Sequence, residues 1–329
     1  MAADRVTTHL EATRSRLYGR HERILIAAVA DGEGTHHTYG APEDVDAEIG
    51  SVSKGLTGLL YRDAVERGHV TPDTTLGDAL ERPEGAYAKV TLGALATHAS
   101  GLPPQPPYGG PRTLMRRTWR MWRHGENPYG ESLDALLDEA ADVRLGRPRF
   151  AYSNLGYELL GAALARTAGT SYEQLLRTRI AEPLGMTGVS VPATPACLSP
   201  LALRGRSKGG RPHEPWTGEA IGPAGGVRAT AGDLEALLTG LLENRAPGVS
   251  ALDPVAEAAG KSRIGAAWLT TPVGGSSVTW HNGRTGGFAS WVGVDRDAGV
   301  GLAIVSATAA SLDREGFRAL ARLRDGASG

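Results

Sequence analysis

The sequence has almost no cysteine: Cys197 is the only one among 329 residues. A single thiol cannot form an internal disulfide, so the chain contains nothing that requires an oxidising compartment. The first apolar run, residues 24–30, follows a charged stretch instead of a short basic segment, and no small-residue cleavage pattern comes after it. Both features argue against a signal peptide. The sequence therefore predicts a cytoplasmic protein.

An excess of charge of one sign and long hydrophobic runs are also missing. The formal net charge is -1 and the isoelectric point is about 6.8, which gives no global attraction to nucleic acid or to an anionic membrane. No apolar run approaches the length of a transmembrane helix. The sequence shows neither a His/Asp/Glu cluster with metal-ligand spacing nor a phosphate-binding loop. We therefore expect no nucleic-acid or membrane partner, and no metal or cofactor.

Strand patterns occur near both ends of the chain and helical patterns in its middle. Residues 4–18 have helical spacing, and residues 24–39 form a hairpin pattern around Asp-Gly-Glu-Gly. Helical segments with Gly- and Pro-rich connections follow, strands return at 278–307, and a helix closes the chain. This order predicts a single α+β domain over residues 1–329, with an antiparallel sheet flanked by the terminal helices. The α/β lobe would comprise roughly residues 1–70 and 220–329, an inserted helical lobe roughly 70–220, and the active site would lie between them.

Ser51 and Lys54 are three positions apart at the start of a helical pattern, so their side chains share one face. Four lysines and 18 serines in 329 residues give about 0.2 such matches by chance. A serine becomes a good nucleophile when a neighbour takes its proton, and a lysine can do so when burial lowers its pKa. The alternative is a helix-capping serine followed by a solvated lysine.

Two further stretches carry side chains that suit the same chemistry. Tyr152 and Asn154 precede a helical pattern and would project to one side in an extended segment. The alternative is a buried tyrosine beside a helix-capping asparagine. On a strand near the C-terminus, His281 and Gly283 share one side, where the glycine would let a ligand approach the backbone. The histidine could hydrogen-bond a substrate carboxylate or help to move a proton, or have no role.

The order of these stretches resembles one superfamily, that of the serine β-lactamases and penicillin-binding D-alanyl-D-alanine peptidases. The resemblance is to the class C branch with its esterase and acyltransferase relatives, and it covers roughly residues 20–310. It is carried by the three motifs and by five longer segments: THASGLP (97–103), YSNLGYELLGAALARTAGTSYEQLL (152–176), EPLGM (182–186), GPAGGVRATAGDL (222–234) and HNGRTGGFASWVGVD (281–295). The fold that it implies is the β-lactamase/transpeptidase-like α+β fold.

The resemblance also implies roles for individual residues. Ser51 would be the acylated nucleophile, Lys54 and Tyr152 would share the proton transfers, and Asn154 would orient the substrate. His281, Asn282 and Gly283 would form the third motif, and the backbone amides of Ser51 and Arg284 would form the oxyanion hole. A histidine at 281, where many relatives have lysine, occurs in the peptidase and esterase branches, which argues against β-lactam hydrolysis.

These features predict a serine hydrolase that acts through an acyl-enzyme on a small ester or a D-amino-acid amide or peptide. The first alternative is a cytoplasmic acyltransferase or cyclase of a biosynthetic pathway that uses the same acyl-enzyme. The second is a catalytically silent module that binds or senses β-lactams.

Residues 112–123 combine a tryptophan stripe with many arginines. Met115, Trp119 and Trp122 lie on one side of the predicted helix, and the rest is crowded by Arg112, Arg116, Arg117, Arg120 and Arg123. One interpretation is a helix that packs its tryptophans on the helical lobe and leaves a solvated basic face. The other is a lid whose arginine face attracts an anionic substrate, such as an acyl carrier or an acyl-CoA.

Overall fold

An eight-stranded antiparallel sheet is the centre of the computed structural model, which describes residues 2–129 and 132–327. Met1, Gly130, Glu131, Ser328 and Gly329, which the single predicted domain includes, lie outside the described residues. The strands are β1 Ile24–Ala30, β2 Glu33–Tyr39, β3 Ala47–Glu48, β4 Arg206–Ser207, β5 Arg228–Ala229, β6 Ala256–Glu257, β7 Arg263–Ile264, β8 Leu269–Val273, β9 Ser276–Arg284, β10 Ala289–Asp295, β11 Val300–Ser306 and β12 Thr308–Ala309. The large sheet has the order β2-β1-β11-β10-β9-β8-β7-β6, and β3–β5 and β4–β12 form two small sheets.

Helices cover both faces of the sheet and fill the middle of the chain. They are α1 Ala2–Leu17, α2 Ser53–Glu66, α3 Leu76–Leu80, α4 Leu92–Ala96, α5 Pro111–His124, α6 Leu133–Ala141, α7 Asn154–Thr167, α8 Tyr172–Leu176, α9 Glu182–Leu184, α10 Ala231–Leu242 and α11 Asp313–Ala327. Between α2 and α10, the described residues contribute no strand to the large sheet. Among them, no helix has both the length and the apolar character that crossing a bilayer requires.

The strands β1, β10 and β11 at the centre of the sheet are buried on both faces, which explains their largely apolar sequences. Successive side chains of β1 point to opposite faces: Ile24 and Ile26 pack toward α1 and α11, whereas Leu25 and Ala27 join the larger core on the other side. The predicted stripe of α1 is confirmed, because its leucine and valine side chains are buried against this sheet. The predicted antiparallel sheet flanked by terminal helices is therefore confirmed.

The exposure of helix α5 contradicts the interpretation that its tryptophans pack on the helical lobe. Its tryptophan stripe does not pack on the helical region: Met115 is 72% exposed, Trp119 58% and Trp122 66%. The helix contains no buried residue. A strongly amphipathic pattern shows that a helix has two different faces, but it does not show what covers the apolar one.

Candidate active site

A cleft of about 1270 Å³ runs between the start of α7, the strand β9 and the helix α5. Ser51, Tyr152, Asn154, Gly283 and Arg284 all line it. Residues from three distant parts of the sequence thus meet at one surface. Two other predicted residues, Lys54 and His281, are 0% and 3% exposed.

Ser51 lies in a short 3-10 turn, Gly50–Val52, one step before α2 begins at Ser53. The sequence pattern placed the helix start at the serine itself, so the real onset is slightly later. Gly50 has a φ of +52°, a left-handed conformation that favours glycine. A Cβ at Gly50 would come within 2.8 Å of the Arg284 amide nitrogen. The turn that presents Ser51 can therefore form only with glycine at position 50.

Strand β9 approaches this turn closely at Gly283. A Cβ there would lie 2.3 Å from the Ile49 carbonyl oxygen and from Ser290 Oγ, and 2.8 Å from the Ser51 amide nitrogen. Glycine at 283 thus brings the backbone of β9 against the backbone of the serine turn. The amides of Ser51 and Arg284, predicted to form the oxyanion hole, flank this contact; their role stays a prediction.

Lys54 lies beneath Ser51 with its amine surrounded by oxygen atoms. Its Nζ is 2.7 Å from Asn154 Oδ1, 2.5 Å from the carbonyl oxygen of Ala224 and 3.2 Å from Ser51 Oγ. Burial lowers the pKa of Lys54 to about 7, while Glu158 acts in the opposite direction. A neutral amine has two N–H donors and one lone pair. The two carbonyl oxygens can only accept, so they take the two donors and leave the lone pair for the Ser51 hydroxyl.

Tyr152 forms one wall of the cleft beside these groups. Lys54 Nζ lies 4.8 Å from the centre of its ring, and the His98 ring packs 4.5 Å away on the other side. Burial raises the pKa of the Tyr152 hydroxyl, and the Ser51 hydroxyl lowers it by a smaller amount. The ring is still 41% exposed toward the cleft, where a substrate would meet it. At neutral pH Tyr152 is therefore a protonated phenol at the substrate surface.

Asn154 is the first residue of α7 and not its cap. Ser153 caps the helix, because its side chain accepts a hydrogen bond from the Gly156 amide. The backbone of Ser153 is also held by the buried His98, whose Nδ1 accepts from the Ser153 amide at 3.2 Å. This arrangement leaves the Asn154 side chain free of capping and lets its oxygen accept from Lys54.

His281 is a neutral imidazole on β9. Burial first, and then the nearby Lys54, lower its pKa to about 3. Its Nδ1 lies 2.6 Å from the carbonyl oxygen of Asn282, which can only accept, so Nδ1 carries the proton and Nε2 is an acceptor. The Asn282 side chain is directed elsewhere: its amide donates to Asp313 at the start of α11.

Two groups in the floor of the site carry no motif signal in the sequence. The Ala224 oxygen is a backbone atom in the turn Gly222–Gly226, and no residue type marks such a role. Glu158 lies one turn after Asn154 on α7, is 1% exposed, and neither carboxyl oxygen has a hydrogen-bond partner. Burial raises its pKa to about 8, and Lys54 partly offsets this. A lone glutamate within the apolar run of residues 155–165 was the available signal.

A serine hydroxyl, a buried amine and a tyrosine beside one cleft are groups that acyl-transferring serine enzymes use. No group of side chains that could hold a metal ion occurs within residues 2–129 and 132–327. The family model described as Beta-lactamase matches residues 17–326, and this chain belongs to that family. The predicted superfamily is therefore confirmed.

This chain matches its curated relatives over part of their length. The D-alanyl-D-alanine-carboxypeptidase/endopeptidase AmpH of Escherichia coli K12 is 30% identical over 249 residues, which are 70% of this chain and 59% of AmpH. Penicillin-binding protein 4 of Amycolatopsis lactamdurans is 29% identical over 196 residues, 57% of this chain and 48% of that protein. The chain thus spans about half the length of the curated relatives that it matches. These relatives support a family of serine hydrolases.

Solved structures extend the likeness over nearly the whole fold. The D-alanine carboxypeptidase AmpC from Burkholderia cenocepacia superposes with a TM-score of 0.79 at 22% identity, covering 98% of this chain and 99% of the other. An octameric penicillin-binding protein homologue from Pyrococcus abyssi superposes with a TM-score of 0.81 at 22% identity, covering 97% of this chain and 77% of the other. The β-lactamase-like α+β fold predicted from the sequence is confirmed.

Proposed function

We propose that this protein is a serine hydrolase that cleaves a small ester or a D-amino-acid amide through an acyl-enzyme on Ser51. The observation that carries the proposal is the contact of Ser51 Oγ with Lys54 Nζ at 3.2 Å, in a site that lowers the pKa of the amine to about 7. Lys54 is thus the general base, because the pKa of Tyr152 is raised and its phenol keeps its proton.

The reaction follows from these positions. Ser51 Oγ attacks the carbonyl carbon as its proton passes to Lys54, and the amides of Ser51 and Arg284 stabilise the oxyanion. The phenol of Tyr152 protonates the leaving group and regains a proton from Lys54. Water then attacks the acyl-enzyme by the reverse route. Asn154 keeps Lys54 in place and offers its amide to the substrate.

The substrate class is supported by the relatives and by His281. AmpH is a D-alanyl-D-alanine carboxypeptidase and endopeptidase, and the Burkholderia cenocepacia neighbour is a D-alanine carboxypeptidase. His281 is a neutral imidazole that does not line the cleft, so it offers no cation to a substrate carboxylate, and this favours small esters beside D-amino-acid amides. Small esters and D-amino-acid amides are therefore the substrates to test first.

Acyl transfer is the second candidate, and the size of the cleft favours it. At about 1270 Å³ the cleft has room for an acceptor molecule beside an acyl group. An amine or an alcohol would then replace water in the second step. The test is competition: hydrolysis is measured with added amines and alcohols, and transfer is rejected if none appears in the product.

The decisive experiment is intact mass spectrometry after exposure to a p-nitrophenyl ester and, separately, to a penicillin. Wild type should release nitrophenol or gain an acyl adduct, and Ser51→Ala should do neither, with a loss of at least about 10³-fold in rate. Ser311→Ala is the matched control, because this serine lines the same cleft away from Lys54. An adduct on Ser51→Ala would reject Ser51 as the nucleophile. An adduct that persists without turnover would favour the sensor alternative.

A further inference from the structure

A second cavity adjoins the catalytic cleft on the far side of α5. It has a volume of about 340 Å³ and is lined by Arg116, Arg117, Arg120, Glu126, Asn127, Pro128 and Tyr129. Arg117, Pro128 and Tyr129 line the catalytic cleft as well, so the two spaces share a wall. The lining residues carry three guanidinium groups and one carboxylate, that of Glu126.

Two of the arginines are held in position by neighbours. The Arg117 guanidinium lies 4.6 Å from the centre of the Tyr108 ring and donates to the Pro128 carbonyl oxygen at 3.0 Å. Arg120 pairs with Glu126 at 2.6 Å. Arg116 forms no ion pair with a carboxylate of the described residues. The cavity therefore combines ordered guanidinium groups with an unneutralised one.

Tyr129 connects this cavity to the reacting groups. Its hydroxyl lies 3.5 Å from Gln105 Oε1, and its ring packs edge-on against Trp216 at 4.7 Å. Asn154 lines the catalytic cleft together with Tyr129. An extended molecule with its carbonyl at Ser51 would pass Asn154 and Tyr129 before it reached the arginines.

We propose that the arginine cavity binds the phosphate-bearing tail of an acyl donor whose carbonyl is attacked by Ser51. Guanidinium groups suit phosphate because their planar N–H pairs form charge-assisted bidentate hydrogen bonds. The inference rests on the Ser51 acyl-enzyme of the proposed function and goes beyond its substrate class, because the donor would be a thioester that carries phosphate. For a thioester, the bond from Ser51 oxygen to the acyl carbon forms as the carbon–sulfur bond breaks. The serine proton passes through Lys54 to the leaving thiolate, and water then hydrolyses the acyl-enzyme.

The test compares two donors with the same acyl group, acetyl-CoA and the phosphate-free S-acetyl-N-acetylcysteamine. At low salt, wild type should have a kcat/KM at least about tenfold higher for acetyl-CoA, as hydrogen bonds to charged groups allow. Arg116→Gln/Arg120→Gln should lose most of this preference. Arg112→Gln/Arg123→Gln should keep it, because these two arginines lie on the same helix but line neither cavity. Hydrolysis of p-nitrophenyl acetate should be unchanged in both variants.

Equal kcat/KM for the two donors in wild type would overturn the proposal. So would an equal loss of preference in both double variants, since that would show only a general effect of net charge. A separate binding measurement keeps the inference independent of catalysis: calorimetry of free CoA with Ser51→Ala should give an affinity that Arg116→Gln/Arg120→Gln removes. If p-nitrophenyl acetate is not hydrolysed by wild type while CoA binds as expected, the proposed function fails and the anion site stands.

Discussion

The floor and the rim of the cleft use charged residue types in opposite ways. In the floor, Lys54 and Glu158 are 0% and 1% exposed, and burial moves the pKa of each toward its neutral form. At the rim, Arg116 is exposed and forms no ion pair with a carboxylate of the described residues. Burial thus turns a lysine into a proton acceptor, whereas exposure keeps an arginine available to attract anions.

The presence of lysine instead of arginine at position 54 follows from the same difference between burial and exposure. Of 35 basic residues only four are lysines, and the other 31 (35 − 4) are arginines. Arginine cannot lose its proton in a protein, so it cannot serve as the base in the floor. The proposed mechanism therefore requires a lysine at position 54, although the chain uses arginine at nearly every other basic position.

The largest expected effect comes from replacing the floor lysine. Lys54→Arg and Lys54→Met should each lower kcat/KM for a p-nitrophenyl ester by about 10²–10⁴-fold, because neither side chain can take the proton of Ser51. The steady-state rate at pH 8 measures this. Lys89→Met is the control, because Lys89 is exposed and far from the motifs.

The rate of the Lys54→Met variant reports on catalysis only if this variant is folded. Circular dichroism and a melting curve should show a native fold, so that the lost rate reports chemistry. If a folded Lys54→Arg retained more than a tenth of the wild-type rate, the base would have to be another group, and Tyr152 would be the first to test.

A smaller effect is expected from Glu158, the second charged residue type in the floor. This effect should appear in the pH dependence of kcat/KM. Wild-type kcat/KM should rise as pH increases through about 7, because Lys54 accepts a proton only in its neutral form. Glu158 raises the pKa of Lys54 only while its carboxyl is ionised, and its own pKa of about 8 keeps it largely protonated on this limb, so Glu158→Gln should move the acidic limb to lower pH by only a small amount. His98 and His281, which also face Lys54, have lowered pKa values from burial and stay neutral through this range.

Glu84→Gln is the matched control for the pH profile, because Glu84 is exposed. Its acidic limb should coincide with that of wild type. An unchanged limb in Glu158→Gln would show that the carboxyl is fully protonated while Lys54 titrates, and a shift to higher pH would contradict the predicted effect of its charge. A loss of rate at all pH values without a shift would indicate a purely structural role.

The sequence alone predicted those parts of the fold that depend on local patterns. Alternation and helical spacing predicted the terminal helices, the first hairpin and the C-terminal strands, because each pattern reports the burial of its own segment. The motif order predicted that Ser51, Tyr152 and Gly283 would lie near one another. Their distances place them in one cleft, while their chemical roles remain predictions.

The remaining features depend on contacts between distant segments. The oxygen of Ala224 reaches Lys54 across 170 residues of chain and is a backbone atom, so no side chain announces it. Glu158 resembles any polar residue in an apolar helix until its lack of partners is seen. The direction of the apolar stripe of α5 depends on the tertiary position of the helix, which its own periodicity cannot give.

The smallest expected effect is at the rim, where an aromatic side chain should add little to stability. Trp119→Ala should change the free energy of unfolding by no more than about 0.5 kcal/mol, since Trp119 is 58% exposed on α5. Trp268→Ala is the comparison, because Trp268 is 0% exposed and should cost about 3–5 kcal/mol. Urea denaturation measures both values. A loss of more than about 2 kcal/mol of unfolding free energy for Trp119→Ala would show that α5 packs against the rest of the protein in solution. The rim would then be buried, as the floor is.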